Sequence, residues 1–143
     1  MRVVLITGGF DPLHSGHIAY IQAAKSLGDY LIVGVNSDEW LIRKKGQPFM
    51  PFSERATLVG AIAGVDEVIQ FDDSDNTAID AIRTTRLRFG PDHKIVFGNG
   101  GDRTKDNTPE QGFCNAYNID MLYHLGGGKV QSSSKLISQE NES

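Results

Sequence analysis

The chain has 143 residues, with 14 lysines and arginines against 18 aspartates and glutamates and a formal net charge of -4. This balance excludes a nucleic-acid-coating protein, and no apolar run is long enough to cross a membrane. The single Cys114 excludes an internal disulfide, which suits the cytoplasm and a packing role for the thiol. We expect one domain over residues 1–143, with a frayed polar tail at 139–143.

Short apolar runs alternate with helical patterns along the chain. Strands are predicted at 3–6, 30–35, 68–71, 94–97 and 119–123. Helices are predicted to begin near Gly16, at Ser53 as an N-cap, near Ile79 and at Ser132, whereas residues 37–50, rich in charge and turn formers, predict a loop. This alternation indicates an α/β architecture with a mostly parallel sheet.

Three informative segments directly follow predicted strands, at residues 8–17, 37–46 and 98–102. Ligands of open α/β sheets bind beyond the carboxyl ends of the strands. We therefore expect the three segments to build one site.

The most specific segment is GGFDPLHSGH, residues 8–17. Its two leading glycines let the backbone approach a ligand, and a helix beginning near Gly16 would point its N–H groups at the same place. His14 and His17 are three residues apart and so lie on one side of the first helical turn. The segment predicts a phosphate cradle that stabilises developing charge in phosphoryl or nucleotidyl transfer.

Other interpretations of this segment fit less well. The glycine spacing does not match the G-x-G-x-x-G dinucleotide loop. Two histidines could belong to a zinc site, but no third ligand stands at metal spacing, so no protein metal site is expected. Two unrelated core histidines remain the structural alternative.

GGFDPLHSGH resembles the H-x-G-H signature of the cytidylyltransferase-like nucleotidyltransferases. The resemblance continues through LGDYLIVGVNSDEW, SER, VDEVIQF, FGNGGD and QSSSKLI, and so reaches residue 137. It is nearest to the glycerol-3-phosphate cytidylyltransferase and heptose-phosphate adenylyltransferase branches. It implies a Rossmann-like parallel five-stranded sheet with helices on both faces, and a homodimer.

The resemblance also implies a nucleotide site. His14 and His17 would contact the NTP phosphates and stabilise the transition state, while Gly9 and Phe10 would offer backbone contacts. Asp102 would face the base or ribose, or else serve as a turn residue.

The resemblance implies that a second segment binds the far end of the triphosphate. Ser132, Ser133 and Ser134 would present hydroxyl and N–H groups to the β- and γ-phosphates, one of them also capping the helix. Mg²⁺ is implied as a partner of the NTP phosphates rather than of a protein cage.

The acceptor site is implied by charged residues. Arg43-Lys44-Lys45 corresponds to a mobile basic loop whose lysines hold the acceptor and NTP phosphates; the alternative is a solvated charge run. Arg55 would reach a phosphate, or form a surface ion pair with Glu54 or Asp66. Asp11, whose charge repels phosphate, would orient the loop or meet acceptor hydroxyls.

These features predict direct transfer of NMP from ATP or CTP to a phosphorylated small molecule, with release of pyrophosphate. A sugar phosphate such as a heptose 1-phosphate is the first acceptor, supplied by a separate kinase. Glycerol-3-phosphate is the second hypothesis for the acceptor. It ranks lower because the arginine that the glycerol-phosphate branch uses on the triphosphate is missing here, where the chain has Gly126–Lys129. A non-catalytic nucleotide-binding module is the third hypothesis, and the base remains open.

Overall fold

The structure, a computed structural model, describes residues 1–100 and 109–125, apart from the side chain of His124. Within those ranges the strands are β1 (Arg2–Gly8), β2 (Tyr30–Val35), β3 (Glu67–Gln70), β4 (Lys94–Gly100) and β5 (Asp120–Leu125). The helices are α1 (Ser15–Lys25), α2 (Asp38–Lys45), α3 (Phe52–Gly60), α4 (Ile79–Phe89) and α5 (Gln111–Ala116). None of the described helices is long and apolar enough to span a membrane.

Part of the predicted nucleotide site lies outside the described residues. This applies to Asp102, to Ser132, Ser133 and Ser134 with the helix predicted to follow them, and to the tail at 139–143.

The five strands form one sheet in the order β3-β2-β1-β4-β5, and every neighbouring pair is parallel. The predicted α/β, Rossmann-like fold class is therefore confirmed. The chain builds outward from β1 to β3, then crosses back to place β4 on the other side of β1. This reversal puts a crevice beyond the carboxyl ends of β1 and β4, where ligands of such sheets bind.

The central strand β1 is covered on both faces. Val3 and Leu5 pack in a cluster that includes residues of α4 and α5, whereas Val4 and Ile6 pack in a second cluster with residues of α1 and α3. A parallel strand buried on both faces needs a continuous apolar run, and this is why the Val3–Ile6 pattern predicted it.

The prediction of a loop over residues 37–50 was wrong, because α2 occupies most of this segment. Ser37 caps the helix, with its Oγ accepting a hydrogen bond from the Trp40 backbone N–H at 3.0 Å. Acidic residues in the first turn and the basic triplet in the last turn both complement the helix dipole. Arg43-Lys44-Lys45 is therefore the final turn of a helix rather than part of a loop.

Two further boundaries differ from the prediction. Pro51, not Ser53, is the N-cap of α3, and the helix begins at Phe52. The short helix α5 was not predicted, since six residues are too few to display a helical period.

The observed cap predicts a stability difference between two serines. Ser37→Ala should lower the free energy of unfolding by about 1–2 kcal/mol, because the hydroxyl caps α2 and also donates to the buried Asp73. The matched change Ser53→Ala removes a hydroxyl that does not cap α3 and should stay within about 0.5 kcal/mol of wild type. Urea unfolding of both variants measures the difference, and equal losses would contradict the assignment.

Candidate active site

The site begins where β1 ends and the backbone turns sharply. Phe10 adopts a positive φ of 52° and is only 2% exposed, so its ring folds back beneath the strand end. A Cβ added to Gly8 would lie 3.0 Å from the Phe10 ring, and this close approach explains the glycine. The Asn36 backbone N–H donates to the Gly8 carbonyl at 2.9 Å, which ties the exit of β1 to that of β2.

His14 and His17 form a reciprocal cap at the start of α1. The Nδ1 of His14 accepts from the Gly16 N–H at 3.1 Å, and the Nδ1 of His17 accepts from the His14 N–H at 3.2 Å. The rings stack with their centroids 3.9 Å apart. A ring nitrogen that accepts carries no proton, so in the neutral tautomer each imidazole bears its proton on Nε2. Both Nε2 groups are thereby set as hydrogen-bond donors.

His17 is held in its neutral form by its surroundings. It is 6% exposed and meets the Phe10 ring edge-on, with centroids 5.2 Å apart. Burial, together with the nearby His14, lowers the pKa of His17 from 6.5 to about 4. At neutral pH this imidazole can therefore offer a phosphate an N–H donor rather than a positive charge.

Asp11 binds the segment that follows α2. Its carboxylate accepts from the Phe49 and Met50 backbone N–H groups, both at 2.6 Å, and lies 2.7 Å from the Lys45 Nζ. Burial raises the pKa of this carboxyl, but Lys45 and the two N–H donors outweigh it and hold the pKa below its usual value. The side chain is 1% exposed, so the geometry matches the loop-orienting role rather than contact with acceptor hydroxyls.

The three consecutive cations of α2 have three different partners. Lys45 Nζ donates to the Asp11 carbonyl at 2.8 Å in addition to its carboxylate contact. Arg43 donates to the Asp73 carbonyl at 2.7 Å and to Asn76 at 3.1 Å. Lys44 lies with its Nζ 4.6 Å from the centroid of the Trp40 ring. The structure thus joins Lys45 to the loop of residues 9–14 that precedes α1 (the histidine loop), whereas Lys44 contacts Trp40.

Arg55 does not contact solvent. It is 0% exposed, and its guanidinium donates to the carbonyls of Gly9 at 3.0 Å, Asn36 at 2.7 Å and Met50 at 2.9 Å. It also pairs with Asp38 at 2.6 Å. The predicted surface ion pair with Glu54 or Asp66 was therefore wrong, whereas the predicted phosphate contact stays a prediction. The guanidinium instead donates hydrogen bonds to three backbone carbonyls that lie close together near the strand ends.

Sequence reasoning missed Asp73, which links the exits of β2 and β3. It is 4% exposed and accepts from Asn36 Nδ2 at 3.0 Å and from the Ser37 N–H and Oγ at 2.8 and 2.7 Å. Polar residues placed just after two apolar runs were the available signal. Their pairing depends on the strand order, which the sequence does not reveal.

The exit of β4 lies beside that of β1. Tyr20 of α1 bridges the two strands, with its hydroxyl 3.4 Å from the Thr7 carbonyl and 3.3 Å from the Gly98 carbonyl. A Cβ on Gly100 would lie 3.0 Å from the Tyr20 ring, so a larger residue here would press against that side chain.

A cavity of about 240 Å³ lies beyond the carboxyl ends of β2 and β3. It is lined by Val35, Ser37, Asp38, Glu39, Phe52, Gln70 and Phe71. Carboxylate and amide oxygens can accept hydrogen bonds from hydroxyl groups, and aromatic faces can pack against C–H groups. In the part of the chain that is described, no group of three or more histidine, cysteine or acidic side chains could hold a metal ion.

The lowered pKa of His17 predicts that the free energy of unfolding decreases at acid pH. Between about pH 6.5 and 4 the unfolded chain binds a proton that the folded chain excludes, so stability falls as the pH falls through this window. We expect a loss of about 3 kcal/mol, complete below the folded pKa. Unfolding free energies measured across this range test it.

His17→Asn supplies the control for this prediction. Asparagine places its Oδ1 where the imidazole has Nδ1, keeping the capping acceptor but removing the titration. The Asp11, Asp66, Glu67 and Asp72 carboxyls, whose pKa values are also lowered, lose their contribution at the acid end of this range in both proteins, so they cancel in the comparison. An unchanged pH dependence in His17→Asn would show that His17 is not the group responsible.

Comparisons with known proteins identify relatives of this chain. The bifunctional protein HldE of Geobacter sulfurreducens is 37% identical over 132 residues, which cover 91% of this chain and 23% of that protein. HldE of Nitratiruptor sp. is 42% identical over 108 residues, which cover 73% of this chain and 23% of that protein. The chain thus spans about a quarter of the length of these curated relatives.

Solved structures extend the comparison to the fold. The lipopolysaccharide core biosynthesis protein of Thermoplasma volcanium superposes with a TM-score of 0.67 at 28% identity, covering 87% of this chain and 96% of that one. The family model described as cytidylyltransferase-like matches residues 5–134, nearly the whole chain. The chain therefore belongs to the cytidylyltransferase-like family.

Proposed function

We propose that the protein is a nucleotidyltransferase that transfers an NMP unit from ATP or CTP to the phosphate of a small acceptor. The observation that carries this proposal is the His14–His17 pair at the N-terminus of α1, where each Nδ1 accepts a backbone N–H and each Nε2 is therefore the donor nitrogen. Membership of the cytidylyltransferase-like family supports the same reaction class.

The proposed chemistry needs no covalent enzyme intermediate. An oxygen of the acceptor phosphate attacks the α-phosphorus, a new P–O bond forms, and the bond to the bridging oxygen breaks with its electron pair leaving on pyrophosphate. The attacking oxygen is already anionic, so no base has to remove a proton. The enzyme's task is to position the two substrates and to stabilise the charge that develops.

The side chains divide this task. The imidazole N–H groups would donate to the triphosphate, where charge builds as pyrophosphate leaves. Lys44, at the end of α2, would meet the acceptor phosphate from the opposite side. Lys45 would keep the Asp11 loop in place between them. Gly9 and Phe10 would contribute backbone groups to the nucleotide, and Asp102 and Ser132–Ser134 complete the proposed nucleotide site.

We propose Mg²⁺ as a partner of the NTP phosphates rather than of protein side chains. The described residues include no cluster able to cage it, and magnesium prefers phosphate oxygens and water. When bound to the NTP, it would neutralise charge on the leaving pyrophosphate.

We propose a sugar phosphate, such as a heptose 1-phosphate, as the acceptor, with glycerol-3-phosphate as the alternative. The similarity to HldE and to a lipopolysaccharide core biosynthesis protein supports the sugar phosphate. A kinase would have to supply the phosphorylated sugar.

A screen of ATP and CTP against both acceptors, followed by pyrophosphate release, tests this function. We expect turnover with one nucleotide and with the sugar phosphate in preference to glycerol-3-phosphate. Nucleotide binding without turnover for any pair would favour a non-catalytic nucleotide-binding module.

Removing either imidazole donor should reduce catalysis without unfolding the chain. In His14→Asn and His17→Asn the side-chain oxygen replaces the capping Nδ1, while the Nε2–H donor is lost. We expect kcat to fall by about 10²-fold, with a melting temperature close to that of wild type. A folded double variant with near-normal turnover would refute the proposed role of the pair.

We further propose that the protein is a homodimer, on the strength of the family resemblance. Sedimentation velocity at micromolar concentration should then give twice the 15.6 kDa mass of one chain. A single species at the monomer mass would refute the dimer and leave the proposed reaction unaffected.

A further inference from the structure

Trp40 and Lys44 form a pair on one face of α2. They are four residues apart, a spacing that places side chains one above the other on a helix. The Lys44 Nζ lies 4.6 Å from the ring centroid, well within the range of a cation–π contact. Trp40 is the only tryptophan in the chain.

The Trp40 ring also reaches the loop that holds the histidines. A Cβ added to Gly9 would lie 3.5 Å from the ring atom Cζ3, so the indole edge packs against that glycine. At its own backbone, Trp40 is fixed by the hydrogen bond to the Ser37 cap. The indole thus joins the cation of α2 to the backbone that would receive the nucleotide.

Lys44 differs from its neighbours in what holds it. Arg43 and Lys45 donate to protein oxygens, whereas the contact that orders Lys44 is an aromatic face. An ammonium group over a ring keeps N–H donors directed away from the ring. These donors can bind a phosphate oxygen while the contact with the indole persists.

We propose that Trp40 is a positioning residue for Lys44. Its indole holds the ammonium group beside Gly9, so that a substrate phosphate meets a cation whose flexible side chain is already ordered. The inference rests on the proposed function, in which Lys44 binds the acceptor phosphate. It assigns Trp40 an effect on binding and none on the chemical step.

Steady-state kinetics separate this role from a structural one. Trp40→Leu should raise KM for the phosphorylated acceptor about two- to five-fold, the range expected of an exposed cation–π contact, with kcat nearly unchanged. Trp40→Phe, which keeps an aromatic face, should recover part of the loss. In a Lys44→Met background, Trp40→Leu should have no further effect on KM. An unchanged KM, or an equal increase without Lys44, would overturn the inference.

Tryptophan fluorescence provides a second test on the intact chain. Titration with inorganic phosphate at constant ionic strength should give a saturable change in Trp40 emission, absent in Lys44→Met. Lys94→Met is the matched control. Lys94 lies at the start of β4, at the opposite end of the sheet, where it pairs with Asp120, so this variant should keep the fluorescence response. No response, or an equal response in Lys44→Met, would overturn the inference.

The two tests also separate the inference from the proposed function. A Lys44-dependent fluorescence response without turnover of any acceptor would support the inference and refute the transferase. Turnover with neither the KM effect nor the fluorescence response would refute the inference alone.

Discussion

The buried guanidinium of Arg55 is the constraint on which the site depends. A buried charge is costly unless all its donors are satisfied, and here they reach the carbonyls of Gly9, Asn36 and Met50 and the carboxylate of Asp38. These oxygens belong to the exits of β1 and β2, the start of α2 and the segment before α3. One side chain therefore fixes the relative positions of all four.

Two carboxylates extend this framework outward. Asp11 attaches the segment after α2 to the histidine loop, and Asp73 attaches the exit of β3 to that of β2. Both are largely buried and accept backbone N–H groups, Asp11 from the segment between α2 and α3 and Asp73 from Ser37 just after β2. The apolar core positions the sheet, whereas hydrogen bonds to main-chain groups position the loops at its carboxyl edge.

The resulting site separates two kinds of donor. At the exit of β1, His17 is kept neutral by burial and offers an N–H group. At the end of α2, Lys44 supplies positive charge, whereas Lys45 is paired with Asp11. For the proposed transfer, this arrangement would let two anionic substrates meet between hydrogen-bond donors on one side and a cation on the other.

Local patterns in the sequence were enough to predict the parallel sheet, the buried β1 strand and the placement of His14 and His17 at a helix start. Apolar runs and motif spacing involve neighbouring residues, so they can be recognised without the fold. The helix α2 also had local signals, a serine cap with acidic residues in the first turn and basic residues in the last, but these were interpreted as a loop. The burial of Arg55 and the partners of Asp11 and Asp73 were decided only by tertiary structure. Each depends on main-chain or side-chain groups from segments distant in the chain, which meet because the strand order brings their carboxyl ends together.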